Sequence, residues 1–191
     1  DHTPQMKLLK RLGKIDGVRK VFVASGIRYD LVLEDKKSGR KYLDQLVSRH
    51  TSGQLKVAPE HTEDRILKLM GKPDRNSLLR FNRMFEESSK NTGKKQYLTY
   101  YLIAAHPGCS DEDMKRLKKF TSEKLKITPE QVQIFTPLPS TYSALMYYTE
   151  RDPFTGKRIF VEKDPGAKTR QKEIVTRKTP AGKRPRKKPA E

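Results

Sequence analysis

Side chains that could bind or activate a ligand occur where four apolar segments of the sequence end. The four ends read SGIR, PEH, HPG and TP. A hydroxyl or a carboxylate can hydrogen-bond a ligand, a guanidinium can hold a carboxylate through two parallel bonds, and an imidazole can relay a proton. Glycine permits close approach of the backbone. The candidate ligand-binding residues are Ser25, Arg28, Glu60, His61, His106 and Gly108.

Each segment also has an ordinary structural interpretation. SGIR could be a solvated turn, PEH the start of a helix with an acid near its positive end, and HPG a strand-to-helix turn. A metal site built on Glu60 and His61 is not expected, because no further ligands cluster at metal spacing. The single cysteine, Cys109, excludes an internal disulfide framework and is expected to be a structural free thiol.

Hydrophobic periodicity predicts the elements that position these segments. The predicted strands are Lys20 to Ala24, Gln54 to Ala58, Gln96 to Ala105 and Gln131 to Phe135. The predicted helices are His2 to Ile15, a short turn from Asp30 to Glu34, Gly39 to His50, a helix capped by Thr62, Asp74 to Lys90, and a helix running to Leu125 with a capping box of Ser110 and Asp113.

The alternation of helices and strands predicts an α/β fold with parallel strands joined by right-handed crossovers. Four parallel strands can form an open sheet or the end of a (β/α) barrel. In both cases ligands gather at the carboxyl ends of the strands, where the candidate residues lie. The expected domains are a parallel α/β part over residues 1–139, an extension over 140–163 and a disordered basic tail over 164–191.

Charge favours a polyanionic partner for the tail. The chain has a net charge of +19, and the segment from Lys163 to Glu191 holds 11 basic and 3 acidic residues. We expect weak contact of this tail with nucleic acid or another polyanion. The segment from Tyr142 to Phe160 mixes aromatic residues with cations, as single-stranded nucleic-acid platforms do. Packing of this extension along the open edge of a barrel is the favoured interpretation. The sequence contains neither a signal peptide nor an apolar run that would cross a bilayer, so a cytoplasmic protein without membrane contact is expected.

Four longer runs resemble a known family. SGQLKVAPEHTEDRILKLMGKP, VFVASGIRYD, YLIAAHPGCSDEDM and QVQIFTPLPSTYSALMYYTERDPFTGK are similar to segments of YgiQ-type radical S-adenosylmethionine (SAM) proteins. The resemblance implies about four βα units of a six-unit partial barrel, which would contain the third to sixth strands. It also implies that the candidate residues face SAM.

The resemblance implies an enzyme that uses a 4Fe–4S cluster to cleave SAM to a 5′-deoxyadenosyl radical. The cluster-binding loop, with cysteines spaced CxxxCxxC, is absent from this chain. We therefore expect a fragment, inactive by itself, of a longer enzyme whose cluster ligands lie outside it. The substrate does not follow from the sequence. The alternatives are a basic, non-enzymatic nucleic-acid-binding module and a small α/β domain with a structural role.

Overall fold

The computed structural model describes residues 1–177, which form helices around a small parallel sheet. In chain order the elements are α1 (Thr3–Leu12), α2 (Tyr29–Glu34), α3 (Gly39–Gln45), β1 (Gln54–Glu60), α4 (Asp64–Leu69), α5 (Arg75–Lys90), β2 (Tyr97–Ala104), α6 (Asp111–Phe120), β3 (Val132–Ile134), α7 (Tyr142–Thr149) and α8 (Pro165–Thr176). Single π-helical turns, Leu46–His50 and Thr121–Leu125, extend α3 and α6. No helix within these residues is long and apolar enough to cross a membrane.

The sheet of the described residues has three parallel strands in the order β1-β2-β3. The predicted first strand, Lys20 to Ala24, is wrong, because the segment is irregular. It follows the outer edge of β1 through a bond from the Val23 N–H to the His50 carbonyl and a single parallel bridge between Ile27 and Val57. Phe22 remains 46% exposed, so the apolar pattern of KVFVA does not reflect burial on both faces. Three strands establish a partial βα fold, whereas closure into a barrel stays a prediction.

Burial alternates along β1 and β2, so one face of the sheet is packed and the other is partly open. The packed face contributes Leu55, Val57, Leu98 and Tyr100 to a core completed by side chains such as Phe81 of α5. Parallel sheets normally have both faces covered. Within residues 1–177 the second face keeps partly exposed side chains, and we call it the open face.

Helix caps follow local sequence rules in most places. The Asp74 carboxylate accepts a bond from the Ser77 N–H and starts α5. The predicted capping box of Ser110 and Asp113 is confirmed at the start of α6. Thr62 does not cap α4, since Glu63 occupies the N-cap position and neither side chain bonds the first turn.

The chain beyond Asp164 does not begin as a disordered tail. Pro165–Thr176 forms α8, with Asp164 as its N-cap and Pro165 at the first position. Ala167, Gln171 and Val175 recur every four residues and are buried, and this stripe packs α8 against α6 and the sheet. Because this stripe is short and includes the amide of Gln171, apolar periodicity in the sequence does not predict the helix. The predicted disorder of Lys183 to Pro189 concerns residues outside those that the structure describes.

Candidate functional site

Two neighbouring strands leave the sheet through left-handed backbone at their carboxyl ends. Glu60, the last residue of β1, has φ of 68°, and Ala105, directly after β2, has φ of 58°. Non-glycine residues adopt this conformation rarely and at a cost, and they do so preferentially at ligand sites. The register between β1 and β2 also shifts between Val57 and Glu60. The two sharp exits concentrate side chains from β1, β2 and their loops in one region, which we call the strand-end site.

Glu60 has an unsatisfied acceptor in this region. Its Oε1 lies 3.4 Å from the Lys72 Nζ, which also approaches the Ala58 carbonyl at 3.3 Å. Its Oε2 is buried, and residues 1–177 supply no hydrogen-bond partner for it. Burial raises the pKa of this carboxyl group, and the Lys72 ammonium partly offsets that effect. A buried carboxylate oxygen without a donor is costly, so the position favours a ligand hydroxyl or amide.

Ser25 and Arg28 lie beside the strand-end site and are exposed. The Ile27 N–H donates to the Lys56 carbonyl at 2.9 Å, which places the Ser25 turn along β1. The Arg28 guanidinium donates to Asp30 from Nε at 2.9 Å and from Nη2 at 2.5 Å. The pair with Asp30 uses Nε and one Nη2 hydrogen, so Arg28 can hold a ligand carboxylate through its remaining Nη donors or by exchanging Asp30 for it.

His61 is fully buried and its ring is committed to the protein. The Glu63 N–H donates to Nδ1 at 3.0 Å, so the ring proton is on Nε2, which lies 3.6 Å from the Cys109 Sγ. Desolvation lowers the pKa of His61 to about 3, so the ring is neutral at physiological pH. This geometry leaves His61 no free nitrogen for a ligand.

Cys109 is a buried free thiol, as predicted. Its Sγ also contacts the Met114 Sδ at 3.4 Å. Burial raises the pKa of the thiol to about 12, and the nearby Asp113 carboxylate acts in the same direction. The thiolate is the nucleophilic and metal-binding form, so this environment suppresses both kinds of chemistry.

We expect Cys109 to be unreactive towards a thiol reagent such as Ellman's reagent in the folded protein at pH 7.5. Reaction requires a thiolate, and a pKa of about 12 together with burial removes it. Absorbance of the released thionitrobenzoate should stay near baseline and rise to one equivalent in 6 M guanidinium chloride. Stoichiometric release within minutes under native conditions would contradict the burial of this side chain.

His106 is likewise buried, but its hydrogen bonds reach the open side of the site. Its Nδ1 lies 2.8 Å from the Pro107 carbonyl and therefore carries the proton. Desolvation lowers the pKa of His106 to about 4, so the ring is neutral and Nε2 accepts the Ser143 hydroxyl at 2.8 Å. Because its proton is used in this bond, Ser143 presents only acceptor lone pairs to a ligand.

Gly108 is buried beneath α4 rather than open to a ligand. Its N–H donates to the Phe160 carbonyl at 2.6 Å, and its carbonyl accepts from the Arg65 Nη1 at 2.9 Å. Its φ is 88°, and a Cβ here would overlap the Leu69 Cδ1. The prediction that this glycine admits a ligand to the backbone is therefore not supported by the packing, because Leu69 occupies the space.

A buried carboxylate joins the helices that follow β1 and β2. Asp113 of α6 is inaccessible to solvent and binds Arg65 of α4 at 2.7 Å as well as Arg116. Arg116 in turn binds Glu63 at 2.7 Å. The hydrogen bonds from Ser110 and Arg65 outweigh desolvation and lower the pKa of Asp113. These contacts fix the PEH and HPG loops relative to each other.

A hollow of about 320 Å³ lies on the open face between β2, β3 and the start of α7. Among the described residues that line it, none is charged. Its polar lining consists of Tyr101, Gln133, Thr136, Thr141 and Ser143. We call this space the sheet hollow, and its size falls in the range of small-ligand sites.

The structure separates the six predicted residues into two groups. Ser25, Arg28 and Glu60 lie near the exposed rim of β1, whereas His61, His106 and Gly108 are buried behind the loops and support them. Sequence reasoning missed Ser143 and Gln171. The buried amide of Gln171 accepts from the Ala105 N–H at 3.0 Å and donates to the Cys109 carbonyl at 3.3 Å. The sequence signal that could have found Gln171 is its place between Ala167 and Val175 on one face of α8, where a polar side chain is unusual.

Comparisons with known proteins place the sequence among relatives that share a name. No protein-family model matches the chain. A UPF0313 protein from Fusobacterium nucleatum subsp. nucleatum is 58% identical over 93% of this chain and 31% of its own length. UPF0313 proteins from Methanosarcina acetivorans and Thermotoga petrophila are each 43% identical, over 94% and 92% of this chain and over 24% and 30% of their own lengths. The shared name states no activity.

The chain spans about a quarter to a third of the length of these relatives. The similarity extends through nearly all of this chain, so the four runs that resemble YgiQ-type proteins belong to one continuous match. The activity of the longer relatives is not a property of this chain by itself.

Proposed function

We propose that this chain is the carboxyl-terminal part of a radical SAM domain in a longer enzyme, and that the strand-end site contributes to binding SAM. The proposal combines the resemblance of four sequence runs with the similarity to UPF0313 proteins. A partial βα fold with an open sheet face is consistent with it. The substrate of the reaction is not part of the proposal.

The observation that carries the proposal is the buried Oε2 of Glu60 at the carboxyl end of β1, which has no hydrogen-bond partner within residues 1–177. SAM carries two ribose hydroxyls, which are donors of the kind that this oxygen lacks. Ser25 can add a hydroxyl on the same rim, and Arg28 can bind the SAM carboxylate in exchange for Asp30. The buried residues His61, His106 and Gly108 would then act by holding the two loops in place.

The residues of this chain do not fit a 4Fe–4S cluster. Cluster ligation needs thiolates, and Cys109 is a buried thiol with a pKa raised to about 12. In the proposal the cluster ligands therefore lie elsewhere in the longer protein. A cluster held there would supply the electron that cleaves SAM bound beside it. The part played by this chain is to accept the ribose hydroxyls at Glu60 and to set the position of the nucleoside against the sheet.

We predict that Glu60→Gln weakens SAM binding by about 5- to 100-fold in the complete gene product, because a charged acceptor is replaced by a neutral amide that also introduces a donor. Arg28→Ala should weaken binding in a similar range if the guanidinium holds the carboxylate. The measurement is isothermal titration with SAM, together with circular dichroism to verify the fold.

Glu130→Gln provides a matched control, since Glu130 is exposed and precedes β3 at the opposite end of the sheet. It should bind SAM as the wild type does. The sequence encoded before Asp1 should also contain a CxxxCxxC loop. Unchanged SAM affinity in both the Glu60 and Arg28 variants would refute the assignment of the strand-end site.

A further inference from the structure

Four apolar side chains on and after α7 are unusually exposed. The exposed fractions are 62% for Tyr142, 48% for Leu145, 72% for Tyr148 and 70% for Phe154. We call these four residues the aromatic surface. Single exposed apolar residues are common, but a contiguous patch marks an interaction site.

The rings of the aromatic surface are held in place by local structure. Tyr142, Leu145 and Tyr148 recur every three residues, which places them along one side of α7. The Phe154 ring packs against the Tyr142 ring with centroids 4.8 Å apart. The turn carrying Phe154 is fixed by the Asp152 carboxylate, which accepts the Phe154 N–H at 2.9 Å. Rings ordered in advance lose little conformational entropy when a flat ligand stacks on them.

Cations outnumber acids in the hairpin that borders the aromatic surface. The hairpin after α7 is closed by a bridge between Arg151 and Arg158, and both residues are exposed, as is Lys157. Among residues 1–177, the Arg151 guanidinium donates only to a backbone carbonyl, that of Gly156, at 2.8 Å. Of the two acids in this hairpin, Asp152 accepts bonds within its own turn and Glu150 pairs with Lys163 at 3.7 Å.

We infer that the aromatic surface and its bordering cations bind single-stranded nucleic acid. Bases stack on exposed tyrosine and phenylalanine rings whatever their identity, and arginine and lysine neutralise the phosphates between them. A duplex hides the faces of its bases, so it would use the cations alone. The net charge of +19 assists the approach of any nucleic acid but does not select a single strand. The exposed rings provide that selection.

The sheet hollow borders this surface, because Thr141 lines both the hollow and the groove along α7. The hollow has no charged residue among those described at its wall, so it would accept an uncharged ring more readily than a phosphate. Ser143 offers acceptor lone pairs there, as its proton is bonded to His106. A base turned out of the stacked strand would find both space and an acceptor. Strand binding itself does not depend on the proposed SAM site.

The test is fluorescence anisotropy of the 191-residue chain with fluorescein-labelled 12-mers of oligouridine RNA, oligothymidine DNA and a DNA duplex. We expect both single strands to bind more tightly than the duplex. Tyr148→Ala and Phe154→Ala should each weaken single-strand binding by about 5- to 100-fold, the range for loss of one stacked base. Tyr148→Phe keeps the ring and should retain wild-type affinity.

Tyr97→Ala is the matched control, because Tyr97 is also about half exposed but lies at the amino end of β2. A variant ending at Arg177 measures how much the basic residues after Arg177 contribute to nucleic-acid affinity, apart from the aromatic surface. If Tyr148→Ala and Phe154→Ala bind as the wild type does, the inference is overturned, and any binding lost with the truncation belongs to those basic residues. Equal affinity for single strands and duplex would overturn it as well. Neither result affects the SAM titrations, and absence of SAM binding would leave these anisotropy results unchanged.

Discussion

Replacing Gly108 by alanine is expected to lower the free energy of unfolding by about 2–3 kcal/mol. A left-handed conformation with φ of 88° costs a residue with a Cβ about 1–2 kcal/mol. The new methyl group would also overlap the Leu69 Cδ1. Leu69 is only partly buried and its side chain can rotate, so relieving the overlap should cost about 1 kcal/mol, the low end for overpacking. Urea denaturation followed by circular dichroism measures the change.

Two further variants separate the cost of the left-handed backbone from the cost of the overlap with Leu69. Gly71 also has a left-handed φ of 64°, but a Cβ there meets nothing within 4 Å, so Gly71→Ala should cost only about 1–2 kcal/mol. Adding Leu69→Ala to the Gly108→Ala protein should remove the overlap and recover that part of the lost free energy of unfolding. The effects of the two substitutions should therefore not be additive. Equal losses for Gly71→Ala and Gly108→Ala would mean that Leu69 does not constrain the loop.

Asp113→Ala is expected to lower the free energy of unfolding by about 2–4 kcal/mol. The substitution removes half of a capping box, which costs about 1 kcal/mol, and charge-assisted bonds to Arg65 and Arg116, which are worth about 1.5–3 kcal/mol where buried. Both arginines are more than half exposed and regain water, so the loss stays at the lower end for a broken ion pair. Asp111 lies in the first turn of the same helix and pairs, within the described part of the chain, only with Arg170, so Asp111→Asn should cost less than about 1 kcal/mol.

The contribution of Asp113 to the free energy of unfolding should also depend on pH. Its pKa is lower in the folded protein than in the unfolded chain, where it is about 3.9. The stabilisation is therefore complete above pH 4 and is lost as the pH falls through the folded pKa. The stability difference between the wild type and Asp113→Asn, measured by denaturation at several pH values, should be constant from pH 6 to 8 and shrink below pH 4. A difference that grows on acidification would contradict this assignment.

Local sequence signals predicted the elements whose stability comes from local bonds. The helix from Arg75 to Lys90 is visible from its amphipathic pattern and from Asp74 before it, and α6 is visible from its capping box. The segment Lys20 to Ala24 failed because an apolar alternating run reports side-chain character, whereas strand formation depends on a partner at the right distance. α8 was missed because its buried stripe relies on the side-chain amide of Gln171, whose partners lie 62 and 66 residues away.

The candidate site was only partly accessible to sequence reasoning for the same reason. Parallel topology directed attention to the strand ends, where Glu60 has an oxygen without a partner among residues 1–177. Topology does not indicate whether a polar residue at a strand end points outward or inward. His61 and Gly108 are turned inward by contacts with Cys109 and Leu69, which come from other elements.

The bonds between Gln171 and the loop after β2 have a consequence for the order in which the protein matures on the ribosome. The Ala105 N–H and its acceptor are 66 residues apart, which corresponds to about 3–13 s of translation at 5–20 residues per second. During that interval the loop that holds His106 has a donor and a carbonyl that only the later helix satisfies. Loop ordering is thus a late event in biogenesis, completed from downstream sequence after the sheet beneath it has already been synthesised.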